Sequence, residues 1–409
     1  MSNKNNIIQG HFGQPRARKT DTPSLEQWQK LFDLSFKFRD MKPWQYIHED
    51  QLTILNLPKR KEPLYVSAIN DDSYQAVGVY PDQRAAHAML ALSVAESHHT
   101  AAIYNLELNG FHCVFGEKGN TTAADREVYE KLGLNFQADE PWIYFRRMRP
   151  GCPFNPITTE DAELLITALQ GAYVTMDAYL SGAMGKSKLK KNEILYRRFD
   201  TDSQQWQTGM SIMPQLKFSL SEKSVYPLSS YTIAVLKNKK SKKPWFLEFE
   251  QLYMPMPSEI KEDTVVYPKT ALLIDAQTGE LYSQVFEIDD SLEPEEAGLD
   301  FDTRTIDALL ALILEQGKPE AILIRNPEAA ELIAGVCRSL ALTVETQLRL
   351  PHSAIYAGAL FAEAERMADT AESFFTRDDI DLDNPSPEDI IELLEMLGYN
   401  IDDLLSDDE

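Results

Sequence analysis

The thirty residues from Ala321 to Leu350 constrain the fold most, because they follow a strand–helix–strand pattern. AILIR is a short apolar strand. The next segment starts with three helix signals, which are Asn326 as N-cap, Pro327 at the first helical position and Glu328 in the first turn. TVETQLRL then returns to a strand pattern. Two strands joined by one helix form a right-handed parallel βαβ unit, so the sequence predicts a parallel layer here.

A long β-rich stretch precedes this unit. Its six strand-like segments, between residues 193 and 287, are EILYRRF, WQTGMSIM, YTIAVLK, WFLEFEQLYM, TALLIDA and LYSQVFEI. A turn at Ala276–Gly279 joins the last two. We therefore predict that residues 188–366 form a β-hairpin platform followed by a βαβ layer. Three antiparallel strands, then helix, strand, helix, strand and helix, are the element order of an RNase H-like fold.

The first part of the chain mixes helix and strand signals. Ser24 is a good N-cap for an aromatic helix that ends before Pro43, and a hairpin is centred on Asn70–Ser73. Thr158 begins a capping box. We predict an α+β domain with a meandering antiparallel sheet at 21–187, after a flexible polar lead-in at 1–20 and before the basic run GKSKLKK. The fold class is mixed α+β.

Composition narrows the functional classes. No segment approaches the ~20 consecutive apolar residues of a membrane span, and the first residues lack the apolar core of a signal peptide. The three cysteines are far apart and odd in number, which is typical of reduced thiols in a cytoplasmic protein. The net charge of −24 argues against general nucleic-acid binding. No glycine-rich phosphate loop is present, so we expect no cofactor.

Several landmarks together resemble a known family. They are KPWQYI with Pro43-Trp44, EPWIYFRRMRPGCPFNP with Pro141-Trp142 and Arg149-Pro150-Gly151, and KPEAILIRNPEAAELIAGVCRSLALTVETQLRLP with Pro319, Arg325 and Leu350-Pro351. The order is similar to that of a family of uncharacterised bacterial proteins that pair two domains of unknown function. The resemblance covers most of residues 24–365. It implies a two-domain architecture and no specific activity.

Sequence patterns for catalysis are sparse. His98-His99 is the only histidine pair, and adjacent residues point to different sides of a helix or strand, so we predict no metal site there. Gly116–Thr122 reads as a turn that caps a helix at Thr122. If the second half is RNase H-like, then Asp275, Asp307 and the position of Asn326 are the candidate ligands for two divalent ions in phosphoryl transfer. Asp275 also suits a hairpin turn.

The C-terminal segment, residues 367–409, is strongly acidic. The last 44 residues hold 15 carboxylates against two arginines. Ser386-Pro387-Glu388-Asp389 combines an N-cap, a proline at the first helical position and a capping-box acid. The helix that follows has an apolar face that includes Ile390, Ile391, Leu394 and Leu397, which must be buried on this chain or in the groove of a partner.

Our leading hypothesis is a non-enzymatic binding or adaptor protein that engages a protein partner through its acidic tail helix, within residues 386–405, or through its basic loops. The basic runs KSKLKK, KNKKSKK and Arg146-Arg147 with Arg149 are solvated loops, an anion-binding patch or a receiver for the acidic tail. The alternative function is metal-dependent phosphoryl transfer. The sequence leaves the catalytic residues, the partner and the oligomeric state open.

Overall fold

The computed structural model describes residues 22–71, 74–137, 140–185, 188–216, 218, 228–241, 243–255, 259–261, 264–287, 294–375, 390–391 and 396. The helices are α1 (Leu25–Met41), α2 (Gln83–Ser93), α3 (His98–Asn105), α4 (Ala123–Leu132), α5 (Thr159–Leu180), α6 (Ser230–Lys237), α7 (Pro294–Gln316), α8 (Pro327–Leu340) and α9 (Pro351–Phe375). Within the described ranges, none of the helices is both long and apolar enough to cross a membrane.

The strands form two large sheets and one small hairpin. Their bounds are β1 (Thr53–Asn56), β2 (Leu64–Asn70), β3 (Gln75–Tyr80), β4 (Gly110–Gly116), β5 (Trp142–Arg149), β6 (Cys152–Asn155), β7 (Glu193–Asp200), β8 (Gln205–Ile212), β9 (Phe246–Tyr253), β10 (Glu259–Lys261), β11 (Thr264–Val266), β12 (Lys269–Asp275), β13 (Leu281–Phe286), β14 (Ala321–Ile324) and β15 (Val344–Thr346). The mixed α+β class is confirmed.

The first sheet has eight strands in the order β6-β5-β4-β3-β2-β1-β7-β8. The run from β1 to β6 is the predicted antiparallel meander, but β7 pairs in parallel with β1, so the whole sheet is mixed. Helices α1 and α5 pack together over one face, where Phe32, Leu165 and Leu169 belong to the main core. Helix α2 covers the other face through Ala86 and Met89.

Strands β7 and β8 follow the predicted domain boundary at 187/188 in sequence but belong to the first sheet in space. The backbone N–H of Leu195 donates to the carbonyl oxygen of Leu52 at 3.1 Å. Ile194 and Leu195 point to opposite faces, and each is buried in one of the two cores of this sheet. Sequence pattern missed this because a parallel pairing between distant strands leaves no local signal.

The second sheet has the order β13-β12-β9-β14-β15. Strands β9, β12 and β13 are antiparallel neighbours, whereas β14 runs parallel to both β9 and β15. The predicted parallel βαβ unit is β14-α8-β15. Alternate residues of β9 serve two faces: Leu247 and Phe249 contact the core under α7 and α8, while Leu252 contacts the core under α3 and α9.

One predicted strand is wrong. YTIAVLK forms helix α6 instead, and its N-cap Ser229 accepts a hydrogen bond from the backbone N–H of Thr232 at 3.0 Å. Leu236 is buried in the core shared with α7 and α8. The β-branched composition favours a strand, but the cap and the burial of one helical stripe override this intrinsic preference.

Helix α3 of the first domain shares one core with the second sheet. Ile103 and Tyr104 of this helix pack with Leu272 of β12 and with Ala357 and Phe361 of α9. Helix α3 is contiguous in sequence with the first sheet, so the segment that connects β3 to β4 covers the second sheet. The two domains therefore meet through a continuous apolar contact rather than through a linker.

Candidate functional site

Arg325 lies at the centre of the contact between the two domains. It directly follows β14, and its side chain is 1% exposed. The guanidinium donates from Nε to Glu250 Oε2 at 2.8 Å, from Nη1 to Glu107 Oε2 at 2.8 Å and from Nη2 to Glu107 Oε1 at 2.5 Å. Its Cζ lies 3.7 Å from the centroid of the Tyr104 ring. Glu107 and Tyr104 come from the first half, so one buried cation ties the halves together.

This cluster holds two carboxylates against one guanidinium. Burial raises the pKa of Glu250 to about 8, and it also raises the pKa of Glu107. Burial by itself lowers the pKa of Arg325, but the negative charges of Glu107 and Glu250 outweigh this effect and hold the pKa of the guanidinium well above its ordinary value. A fully ionised cluster carries one uncompensated negative charge in a region without solvent, which is costly.

The side chain of His87, on α2, forms a hydrogen bond with the backbone of the same arginine. Its Nε2 lies 2.7 Å from the carbonyl oxygen of Arg325. Burial lowers the pKa of His87 to about 4, so the imidazole is neutral near pH 7 and Nε2 donates its hydrogen to the carbonyl. Arg84, one turn earlier on α2, pairs with Glu331 of α8 at the edge of the same contact.

The Arg149-Pro150-Gly151 landmark is a turn that docks on the second domain. Gly151 has φ +69°, which a residue with a side chain rarely adopts. Its N–H donates to Leu106 O at 2.8 Å, and its carbonyl accepts from Tyr267 N at 2.9 Å. A Cβ at this position would lie 2.4 Å from the Tyr253 ring. Glycine is therefore required both by the backbone conformation and by the contact between domains.

The two proline–tryptophan landmarks lie together in a separate open groove of about 1130 Å³. The Trp44 ring lies 5.0 Å from the Phe115 ring, and the Lys118 ammonium lies 5.3 Å from the Trp142 centroid. Three cations and three carboxylates line the groove, namely Arg39, Lys42, Lys118, Asp40, Glu117 and Glu140. Its flat aromatic walls suit stacking, but its balanced charge selects neither anions nor cations.

Residues 28–197 match a family model described as a domain of unknown function, DUF7309. Residues 232–354 match a second domain of unknown function, DUF6930. Two domain models of unknown function thus match successive parts of the chain in a two-domain arrangement. The pairing of two such domains, implied by the landmarks, is confirmed. No curated protein and no solved structure matches the chain. The DUF7309 match ends within β7, while β8 lies outside both matches.

Of the three candidate metal-ligand positions in the second domain, Asp275 and Asn326 make structural contacts. Asp275 Oδ1 accepts from the backbone N–H groups of Gln277 at 2.7 Å and Thr278 at 2.8 Å, and its Oδ2 accepts from the Tyr282 hydroxyl at 3.0 Å. Asp307 is exposed on α7. Asn326 caps α8 by accepting from Glu328 N at 2.8 Å. Within the described ranges, no three His, Cys, Asp or Glu side chains group closely enough to hold a metal ion.

Sequence reasoning missed Glu248 and Glu250, which lie on the central strand β9. Glu248 Oε2 accepts from the Ser353 N–H at 2.7 Å and from its hydroxyl at 2.9 Å, so it supports the first turn of α9. Both side chains are nearly inaccessible to solvent. A signal existed: two acids at alternate positions of the apolar run WFLEFEQLYM must lie on one face of the strand. Buried acids on one face require cationic or backbone partners.

The predicted histidine and arginine groups have ordinary partners. His99 Nε2 lies 3.0 Å from Glu365 Oε2 on α9. Arg146 is 9% exposed and makes a bidentate pair with Asp125 at 3.0 and 2.7 Å. Arg147 Nη2 donates to Asn109 Oδ1 at 2.9 Å. Arg146 and Arg147 are thus engaged within the first domain, whereas Arg149 is exposed.

Part of the predicted tail face lies within the described residues. Ile390, Ile391 and Met396 are helical, and they are 47%, 40% and 40% exposed. Leu394 and Leu397 lie outside the described residues. The three described apolar side chains thus remain substantially open to solvent on the acidic helix.

Proposed function

We propose that this chain is a non-enzymatic adaptor that binds a partner protein through the apolar face of its acidic C-terminal helix. The observation that carries the proposal is the exposure of three apolar residues, Ile390, Ile391 and Met396, each of which is helical. An isolated helix of about 11 residues is marginal in water. Burial of its apolar face in the groove of a partner supplies the missing stabilisation.

The charge of the tail specifies the chemistry of the partner. Residues 366–409 carry 15 carboxylates and two arginines, which is a net charge of −13. A matching partner has an apolar groove wide enough for one helix, with lysines and arginines along its rim. Such a rim accelerates association by electrostatic steering, and the apolar anchors set the lifetime of the complex.

The remainder of the chain acts as the rigid body that presents this helix. The buried Arg325 cluster, the Gly151 turn and the shared core under α3 join the DUF7309 and DUF6930 domains. This arrangement supports a scaffolding role.

The test uses the intact chain immobilised as bait, with quantitative mass spectrometry of the retained proteins. Ile390→Asp/Ile391→Asp removes two apolar anchors without shortening the tail. Ile355→Asp is the matched control, because Ile355 is 69% exposed on α9. We expect the double variant to retain at most about one tenth of the amount of each specific partner that the wild type retains, which corresponds to 1.4 kcal/mol of binding free energy. The control should retain the partners at the wild-type level. Equal retention by both variants would refute the proposal.

Metal-dependent phosphoryl transfer is the second candidate. The order and directions of the second sheet support an RNase H-like arrangement, with three antiparallel strands followed by two that run parallel to β9. The described acids do not suit a metal site, since both oxygens of Asp275 are engaged and Glu250 is paired with Arg325. The direct test is hydrolysis of single- and double-stranded nucleic acid with Mg²⁺ or Mn²⁺. Activity that Asp307→Asn abolishes would favour this candidate over the adaptor.

A further inference from the structure

The edge of the first sheet at β8 lacks the features that usually prevent strands from associating. Its eight residues, QWQTGMSI, include no charged residue and no proline. Its pairing with β7 is regular from Glu193↔Ile212 to Asp200↔Gln205, without a bulge. Among the described strands it is the last in the order of this sheet. A long, regularly paired edge strand without charged residues is a template for adding another strand.

The opposite edge of the same sheet is protected. Strand β6 has only four residues, contains Pro153 and joins β5 through a register shift between Arg147 and Arg149. These are the devices by which proteins block edge pairing. The contrast indicates that the open edge at β8 is specific to this strand and is not a general property of the sheet.

The alternation of hydrogen-bonded pairs along the β7–β8 ladder shows which backbone groups of β8 can pair with another strand. Met213 N donates to Asn192 O at 2.8 Å, in register with the β7–β8 ladder. Hydrogen-bonded pairs alternate along an antiparallel ladder, so odd-numbered residues of β8 face β7. The N–H and C=O groups of Trp206, Thr208, Met210 and Ile212 therefore point away from β7, toward the open edge.

We propose that β8 pairs in antiparallel fashion with β8 of a second copy of this chain, about a two-fold axis at Gly209. This register places Trp206 opposite Ile212 of the second copy, and Thr208 opposite Met210. All four are even-numbered, so they form four hydrogen-bonded pairs with about eight hydrogen bonds. Trp206 is 41% exposed and Ile212 is 73% exposed, and the pairing buries each against the other.

The charges at the two ends of the hairpin complement each other in this orientation. Asp200 and Asp202 lie at the end where β8 begins, and exposed Lys188 and Lys191 precede β7 at the end where β8 finishes. A two-fold axis brings the acidic end of one copy beside the basic end of the other. A parallel arrangement would place like charges together, so the charges favour the antiparallel dimer.

The first test is sedimentation equilibrium of the intact chain from about 1 to 100 µM, the range suited to a small interface. We expect a mass that approaches twice 46.5 kDa. Thr208→Pro removes an outward N–H that has no partner in β7, and should raise the dissociation constant at least about tenfold. Thr208→Ala removes the same hydroxyl but keeps the N–H, so it should remain dimeric. A monomeric wild-type chain at all concentrations, or equal effects of the two variants, would overturn the proposal.

A second test fixes the register even if the proline variant does not fold. Opposed residues in a hydrogen-bonded pair have Cα atoms about 5.5 Å apart, within the range of a disulfide. Trp206→Cys/Ile212→Cys should give a covalent dimer on oxidation, whereas neither single variant should, since each new thiol then faces an apolar side chain. Cys152 is present in all three and serves as the internal control. Equal cross-linking of the singles, or none in the double variant, would refute the pairing.

Discussion

Replacement of Arg325 by methionine tests whether the buried cation holds the two domains together. Methionine has a similar length but no charge. The substitution removes three charge-assisted hydrogen bonds and the contact with the Tyr104 ring. It leaves Glu107 and Glu250 buried without a cation. Removal of one partner from a buried ion pair costs about 3–5 kcal/mol of unfolding free energy.

The matched control is Arg84→Met, which removes another ion pair that spans the domains. The Arg84 side chain is 40% exposed, and such pairs contribute about 0–1 kcal/mol. The all-neutral variant Arg325→Met/Glu107→Gln/Glu250→Gln should recover most of the loss, because no charge then remains uncompensated. Urea unfolding at pH 7, followed by circular dichroism, measures all three variants.

The pH dependence provides an independent measurement. The folded-state pKa of Glu250 is raised to about 8, so the folded protein retains a proton that the unfolded chain loses near pH 4.5. This group therefore stabilises the fold at low pH, and its contribution is lost as the pH rises from about 4.5 to 8. Arg325→Met should steepen this decline. A loss no larger than that of Arg84→Met, with no change in the pH profile, would refute the role of the cluster.

Two further predictions address the same contact between domains. Gly151→Ala should destabilise the fold by about 2–4 kcal/mol, because the new Cβ meets the Tyr253 ring. The control Gly133→Ala should cost about 1 kcal/mol, because Gly133 also has a positive φ of +66° but a Cβ there would meet nothing within 4 Å. Equal losses of stability in thermal unfolding would contradict this prediction. His87 has a folded-state pKa lowered to about 4, so its contribution is lost as the pH falls from 6.5 toward 4. His87→Gln keeps a hydrogen-bond donor for the carbonyl of Arg325 but cannot titrate, so it should reduce the loss of unfolding free energy at low pH by up to about 3 kcal/mol. If urea unfolding shows the same loss of stability between pH 6.5 and 4 in the variant and the wild type, the prediction is wrong.

Local signals in the sequence predicted local structure well. The predicted N-cap at Ser24, the capping box at Thr158 and the N-cap at Asn326 are all formed. The failures are non-local. The helix at Ser230–Lys237 was read as a strand because composition alone does not reveal which stripe will be buried. The parallel pairing of β7 with β1 was missed because about 140 residues separate the strands and nothing near either strand encodes it.

The candidate sites show the same division between local and non-local information. Arg325 was visible as an arginine at the end of a strand, but its partners are 218 and 75 positions away in sequence. The acids of β9 were visible as an alternating pair, but only the fold shows that Glu248 supports α9 while Glu250 binds the arginine. Asn326, the predicted third ligand position, caps α8, and the preceding residue, Arg325, is a buried cation. That cation neutralises a neighbouring carboxylate instead of leaving it free for a divalent ion.

The contacts of Arg325 bear on the function that we propose. A guanidinium at the end of β14 holds Glu107 and Tyr104 of the first domain against the second sheet. Glu250 of the central strand β9 is thus engaged in joining the domains. The two recognition surfaces that we propose, the β8 edge and the apolar residues around Ile390, lie outside this buried cluster, because Trp206, Ile212, Ile390 and Ile391 are exposed to solvent. Substitutions at these surfaces should therefore change binding without changing the contact between the domains.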